Sequence, residues 1–167
     1  MRPAIFAAAL SWQHQQLHYC TKVASGLLGG VTPLYAPPEA LFYDAQGRPD
    51  NKVQIEVVQA GINPDHTKDE FPAIKLERTN ATKLMHKDGT ISMARDGPDT
   101  ATSDFFLCIG DQPELDFGGK RNPDGQGFAA FGRVVKGMDV VKKIQAAAAE
   151  GQTLKPPVKI VKVVRKS

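Results

Sequence analysis

Residues Gly89–Ile109 read GTISMARDGPDTATSDFFLCI. Thr90–Ala94 and Phe105–Ile109 have the apolar, β-branched and aromatic character of strands, and the second is a continuous apolar run. Between them stands ARDGPDTATSD, polar and rich in turn-forming residues. A hairpin needs only two to five loop residues. A longer connection carrying its own Asp and Thr side chains is built to touch something. Phe105 and Phe106 are adjacent, so on a strand their rings face opposite sides. One fills the core, and the other looks toward Leu115 and Phe128, which follow at the ends of turns.

Outward from this stretch, the chain divides by texture near Lys52. Val53, Ile55 and Val57 alternate with Gln54, Glu56 and Val58, which predicts a half-buried strand ending at Gln59-Ala60-Gly61. Ile74–Glu77 reads as a short strand, His86–Gly89 as a turn, Gly118–Gly127 as a long turn and Phe128–Val135 as a strand. Met138, Val141, Ile144 and Ala148 follow the helical period, so a helix is expected over Met138–Ala149, stopped by Gly151. After Pro156-Pro157, the residues Val158–Val164 predict a closing strand. Many short strands with one or two helices predict a closed or nearly closed antiparallel barrel.

Residues 1–50 look different. Leu17, Tyr19, Cys20 and Val23 suggest a short amphipathic helix within Leu10–Ala24. Gly29–Glu39, with its three prolines and two glycines, reads as loop. The expected organisation is therefore a divergent segment 1–50 followed by a β-rich domain 51–167.

At 167 residues with 41% hydrophobic and 23% charged residues, the chain has the composition of one globular domain. The net charge of +3 is mild. The basic tail KIVKVVRKS (Lys159–Ser167) lacks interleaved aromatics, so no nucleic-acid partner is expected. No apolar run approaches the ~20 residues of a membrane helix, so no membrane partner is expected either. The opening MRPAIFAAALSW has a short apolar stretch but no clean cleavage site. Compartment stays open between cytoplasm and periplasm, with the cytoplasm as the expectation. Cys20 and Cys108 form no CxxC, and a buried free thiol is expected at Cys108.

Little else points to bond-making chemistry. His14 and His18 lie one helical turn apart with Cys20 nearby, but a structural zinc site takes four ligands and no fourth is signalled. His66 and His86 sit alone. No GxSxG occurs and neither cysteine has a His-bearing motif. GGKRNPDGQG lacks the strand–GxxxxGK[ST]–helix arrangement of a phosphate loop. Asp96, Asp99, Asp104, Asp111 and Asp116 stand in turn positions, where hydrogen bonds to backbone are their usual work.

Taken in order, VVQAGI (Val57–Ile62), GTISMARDGPDTATSDFFLCI, PELDF (Pro113–Phe117) and GFAAFGRVVKGMDVVKKI (Gly127–Ile144) resemble the cyclophilin-type peptidyl-prolyl cis-trans isomerases, in a bacterial flavour, over residues 51–165. The resemblance implies an eight-stranded antiparallel barrel capped by two helices, with the site outside it. It implies isomerisation of X–Pro bonds in peptides and unfolded proteins, hence a role in protein folding, without metal or cofactor. It also implies binding of cyclosporin-type ligands and a monomer. A non-catalytic proline-peptide-binding or chaperone-like module is the alternative reading. In this family the substrate's proline ring enters an apolar pocket beside the loop after the SMA strand, which gives ARDGPDTATSD a purpose.

By the same resemblance Gln59 hydrogen-bonds the substrate, and the backbone of Ala94 and Arg95 holds the peptide. Phe106 forms the pocket floor and Leu115 its wall. Phe128 stands where many members carry His or Tyr, Asp104 where many carry Gln, and Glu56-Val57 where many carry Phe-Met. Val57 and Asp104 are thereby further substrate-binding candidates. The family's catalytic Arg lies in a Phe-His/Tyr-Arg motif. Here LFYDAQGRPDNK (Leu41–Lys52) either puts Asp44 in that position or lacks the Arg strand, and Arg48 is the nearest arginine. The family's two opening strands are not recognisable in residues 1–40, so a barrel incomplete on its N-terminal side is expected.

Overall fold

The computed structural model describes the backbone of residues 17–23, and residues 55–62, 68, 70–150 and 153–164 in full. Its strands are β1 (Leu17–Val23), β2 (Val57–Ile62), β3 (Thr90–Met93), β4 (Phe105–Cys108), β5 (Ala129–Arg133), β6 (Ala149–Glu150) and β7 (Thr153–Leu154). Among the described residues there are also the helices α1 (Thr79–Thr82) and α2 (Met138–Ala146) and a 3₁₀ turn at Pro113–Leu115. The fold is mainly β. The first five strands form one antiparallel sheet in the order β1-β2-β4-β3-β5, and β6 pairs with β7.

Three expectations are corrected. Residues 17–23 form a strand, not part of a helix, and pair along β2 from Leu17 opposite Ile62 to Val23 opposite Val57. The segment Leu-His-Tyr-Cys-Thr-Lys-Val carries aromatic and β-branched residues that suit a strand, and the free edge of β2 supplies the hydrogen-bonding partners. β2 therefore has neighbours on both sides. Nor is β2 half-buried: Val57, Val58, Gln59, Ala60 and Gly61 are all buried. Val58 and Ala60 pack with Val141 of α2 and Leu154 on one face, while Val57 joins Phe106 and Leu115 on the other. Finally, no closing strand spans residues 158–164, where only Val158 makes a bridge. Barrel closure is not seen among the described residues.

Smaller boundaries shift for local reasons. Ile74–Glu77 is reduced to a single bridge, Ile74 to Ala101. Helix α2 stops at Ala146 because Ala147 turns extended (φ −67°, ψ 161°), which frees Ala149–Glu150 to pair with β7. The apolar face of α2 is the expected one, with Met138, Val141 and Ile144 against Val58, Ala60 and Leu154. A third cluster of Leu76, Met93, Ala101 and Ala129 packs between the long loops and the sheet. Burying each such aliphatic side chain contributes about 1.5–3 kcal/mol.

The loop between β3 and β4 is fastened by its own side chains. Thr100 Oγ1 accepts from the backbone N–H of Asp96 and Gly97 at 3.1 and 3.0 Å, and Asp99 Oδ1 accepts from Leu76 N–H at 2.8 Å. These side-chain bonds hold a polar shelf beside the sheet face that carries Phe106.

Candidate functional site

That sheet face carries an apolar cluster of Ile55, Val57, Ala94, Phe106, Cys108, Leu115 and Phe128. A small cleft, open to solvent, is cut into it and lined by Ile55, Val57, Gln59, Phe106, Leu115, Arg121 and Phe128. Register explains the assembly. Gln59 on β2 lies opposite Phe106 on β4, and Phe106 lies opposite Ser92 on β3, so alternate residues of three strands point the same way. The 3₁₀ turn swings Leu115 over this face, and Phe128 N–H donates to Leu115 O at 2.9 Å. The Phe106 and Phe128 rings meet edge to face, 5.3 Å apart at 89°, a favoured aromatic geometry.

The floor rests on a polar chain that the sequence does not announce. His86 stacks on Phe106 with centroids 6.0 Å apart. Its Nδ1 lies 2.7 Å from Asp116 Oδ1 and its Nε2 2.9 Å from Ser92 Oγ. Asp116 Oδ1 also accepts from His86 N–H at 3.0 Å. His86 thus has partners on both ring nitrogens, which corrects the reading of it as isolated. Burial outweighs the raising effect of Asp116 and lowers its pKa below the usual histidine value, so the ring is neutral at pH 7. Nδ1–H then donates to Asp116, and Ser92 O–H donates to Nε2. This Ser-His-Asp arrangement is sealed: Ser92 is fully buried between β4 and β5, and no substrate carbonyl reaches it. It braces the ring of Phe106.

Arg95 has a comparable bracing role. Its side chain is buried, with Nε donating to Gly127 O at 2.8 Å and Nη1 and Nη2 to the two Asp124 oxygens at 2.8 and 3.0 Å. Its guanidinium lies over the Phe128 ring, 5.1 Å from the centroid. The loop from Gly118 to Gly127 is thereby tied to the end of β3. Gly127 (φ +67°) permits the close approach, since a Cβ there would strike the backbone of Asp116 and Phe117.

Of the sequence candidates, Val57, Gln59, Phe106, Leu115 and Phe128 converge on the cleft. Ala94 belongs to the same cluster, and Arg95 stands behind Phe128. Asp104 sits at the rim, where it accepts from Ile62 N–H at 3.1 Å and from the Gln59 side chain. Gly61 leaves room for Asp104, since a Cβ there would fall on the Asp104 carboxylate and displace it. Arg48 and Asp44, and the side chains of His14, His18 and Cys20, lie outside the described residues. Sequence reading missed Ile55 and Arg121 as lining residues. Arg121 has no pattern to betray it, standing among Gly, Asn, Pro and Asp in a turn. Cys108 is buried and free, and burial pushes its thiol up to about 12. Among the described residues no cluster of three His, Cys, Asp or Glu could hold a metal ion.

Asp104 gives a pH test. Burial, with smaller contributions from Glu70 and Asp96, raises its carboxyl from 3.8 to about 6 against the lowering effect of its hydrogen bonds. The folded state then holds the proton more tightly than the unfolded chain, where the carboxyl titrates near 3.9. Stability from this group is greatest below about pH 4, falls as pH rises to about 6, and stays low above it. Asp104→Asn keeps an oxygen for Ile62 N–H. It is expected to remove this slope and to gain roughly 2–3 kcal/mol over the parent at pH 7. Urea melts of both proteins at pH 4, 5, 6 and 7 measure the difference. Parallel curves would refute it.

Comparison with known proteins places this geometry. The profile of the family described as "Cyclophilin type peptidyl-prolyl cis-trans isomerase/CLD" matches residues 42–165. The chain is 35% identical over 117 residues to a peptidyl-prolyl cis-trans isomerase of Acinetobacter baylyi, covering 66% of this chain and 60% of that protein. It is 42% identical over 76 residues to peptidyl-prolyl cis-trans isomerase B of Escherichia coli, covering 45% of this chain and 44% of that one. The chain thus spans less than two thirds of the length of these relatives. A crystal structure of a Cryptosporidium parvum cyclophilin type peptidyl-prolyl cis-trans isomerase, in the presence of the dipeptide Ala-Pro, matches the fold. Its TM-score is 0.61 at 15% identity, with 96% of this chain and 81% of that one covered. With its family profile matched over most of its length, the chain belongs to the cyclophilin-type peptidyl-prolyl cis-trans isomerase family.

Proposed function

We propose that this chain isomerises X–Pro peptide bonds in peptides and unfolded proteins. The observation that carries this reading is the solvent-open cleft lined by the apolar residues Phe106, Phe128, Leu115, Val57 and Ile55, with Gln59 and Arg121 as its polar members. Rotation about X–Pro faces a barrier of about 20 kcal/mol because the twisted amide loses its resonance. No nucleophile is needed to lower it. A site that binds the twisted form better than either planar one suffices. An apolar cleft grips the pyrrolidine ring, while the flanking peptide lies along the shelf formed by Ala94 to Asp104.

Support also comes from family membership and from the Ala-Pro dipeptide present with the structural relative. The test is a protease-coupled or NMR exchange assay on a short X–Pro peptide. The uncatalysed relaxation takes about 10–100 s, and catalytic amounts of the chain are expected to shorten it about tenfold or more. A second reading, binding without turnover, rests on the segment Leu41–Lys52, which by the family resemblance either carries Asp44 at the arginine position or lacks the arginine strand. Saturable peptide binding with an unchanged relaxation would favour it. Competition by a cyclosporin-type cyclic peptide reports on the same cleft.

A further inference from the structure

We propose that Asp104 is a positioning residue for this cleft: by taking up or losing one proton it sets which end of the Gln59 carboxamide faces the peptide; this rests on the isomerase reading above. Register brings the two residues together. Gln59 lies opposite Phe106 and Ala60 opposite Phe105, and the next step sets Asp104 against Gly61, which has no Cβ to displace its carboxylate. Ala94 N–H donates to Asp104 O at 2.9 Å and Ile62 N–H to Asp104 Oδ1 at 3.1 Å, so backbone and carboxyl group are both held. The Gln59 side chain bonds the same carboxyl group. Gln59 is also a lining residue of the cleft, and only 5% exposed.

An ionised carboxylate only accepts hydrogen bonds. In that state Asp104 takes the Gln59 NH₂, and the carboxamide oxygen is left for the cleft. A protonated carboxyl group keeps one oxygen for Ile62 N–H and gains an O–H, which donates to Gln59 Oε1 and leaves the NH₂ for the cleft. One proton thereby exchanges an acceptor for a donor. The peptide distinguishes the two. Proline has no N–H, so the backbone beside its ring brings carbonyl oxygens: that of the preceding residue and proline's own. They need a donor, which the protonated pair supplies. A carboxamide oxygen set against them leaves buried polar groups unpaired.

The surroundings bring this proton within reach of neutral pH. Burial raises the Asp104 carboxyl most, Ile62 N–H and the Gln59 side chain oppose it, and Glu70 and Asp96 add to the rise, which leaves the group at about 6. Among the described residues these two carboxylates are the charged groups that act on it. Glu70 accepts from the Thr102 hydroxyl, and Asp96 stands at the start of the shelf. His86 titrates within its own group, with Asp116 and Ser92. By the family resemblance many members carry Gln at the Asp104 position, and a carboxamide does not titrate. The switch belongs to the aspartate of this chain.

The experiment follows kcat/KM by NMR exchange on the peptide Ala-Ala-Pro-Phe from pH 5 to pH 8, for the parent, Asp104→Asn and Gln59→Leu. The parent is expected to lose about tenfold between pH 5 and pH 7, as the protonated fraction of a group titrating near 6 does. Asp104→Asn reproduces the protonated state, with its oxygen for Ile62 N–H and its NH₂ for Gln59 Oε1. Its profile should be flat and about tenfold above the parent at pH 7. Gln59→Leu, with Asp104 intact, should be weak and flat. A parent profile that is flat or rises with pH would overturn the proposal. So would a slope that survives in Gln59→Leu, which would place the effect in the Asp104 charge alone, or one that survives in Asp104→Asn, which would assign it to another group such as His86. A parent without turnover would sink the isomerase reading, and Asp104 would then be judged by NMR titration with the same peptide. Binding about tenfold tighter at pH 5 than at pH 7 in the parent, and equal at both in Asp104→Asn, would uphold the switch. Equal binding at both pH values in the parent would refute it.

Discussion

Phe106→Ala is expected to cost about 3–5 kcal/mol of stability and to remove proline-peptide binding. The ring is 4% exposed, stacked on His86 and met edge-on by Phe128, so its loss empties the centre of the apolar cluster. The same ring is the floor of the cleft. Core residue and pocket residue are thus one and the same. Since small domains hold only about 5–15 kcal/mol in total, the alanine variant can unfold before its affinity is read. Phe106→Leu separates the two roles. It refills much of the volume, for a loss of about 1 kcal/mol, but has no flat face for a proline ring. Thermal melts and peptide titration on this variant should show a near-parent transition with affinity reduced about tenfold. Parent-like affinity in a well-folded Phe106→Leu would remove Phe106 from the binding site.

Where local pattern and tertiary demand agree, the chain is legible. Thr90–Met93 and Phe105–Cys108 form strands because their residues favour strands and the sheet needs them there. The motifs around them also brought Gln59, Phe106, Leu115 and Phe128 together before any geometry was known. Residues 17–23 were not legible in this way. Leu17 and Cys20 suit a helical spacing, while Leu17, Tyr19, Thr21 and Val23 suit a strand. The choice is made by the vacant edge of β2, some forty residues on. The run Ala146–Ala149 has high helix propensity, yet the chain leaves the helix there so that Ala149–Glu150 can meet β7. His86 shows the same limit at the site, since its partners Ser92 and Asp116 are separated from it by a turn and two strands. Nothing in the residues beside His86 or Arg121 marks them. Their roles arise only when distant elements fold onto one face.

Arg95→Ala should destabilise the protein by about 2–3 kcal/mol and lower activity as well, although Arg95 is not among the residues lining the cleft. Its guanidinium is 1% exposed and makes a bidentate pair with Asp124. Breaking a wholly buried pair costs about 3–5 kcal/mol, largely through the stranded partner. Asp124 is 29% exposed, so it recovers water and the loss is smaller. Gly127 O also loses its donor, and Phe128 the cation over its ring. The consequence for activity follows from what the loop carries. Arg121 and Phe128 both sit on the segment that Arg95 ties to β3, and a displacement of about 1 Å in a positioned group can cost a hundredfold in rate. Arg95→Lys keeps the charge but not the fork, and planar two-point pairing is not transferable to an ammonium, so it should recover stability only in part. A double-mutant cycle with Asp124→Ala isolates the pair, with a coupling of about 1–2 kcal/mol expected in chemical melts. Additive losses, or an Arg95→Ala variant with parent kcat/KM, would show that this loop holds Arg121 and Phe128 in place without the tie.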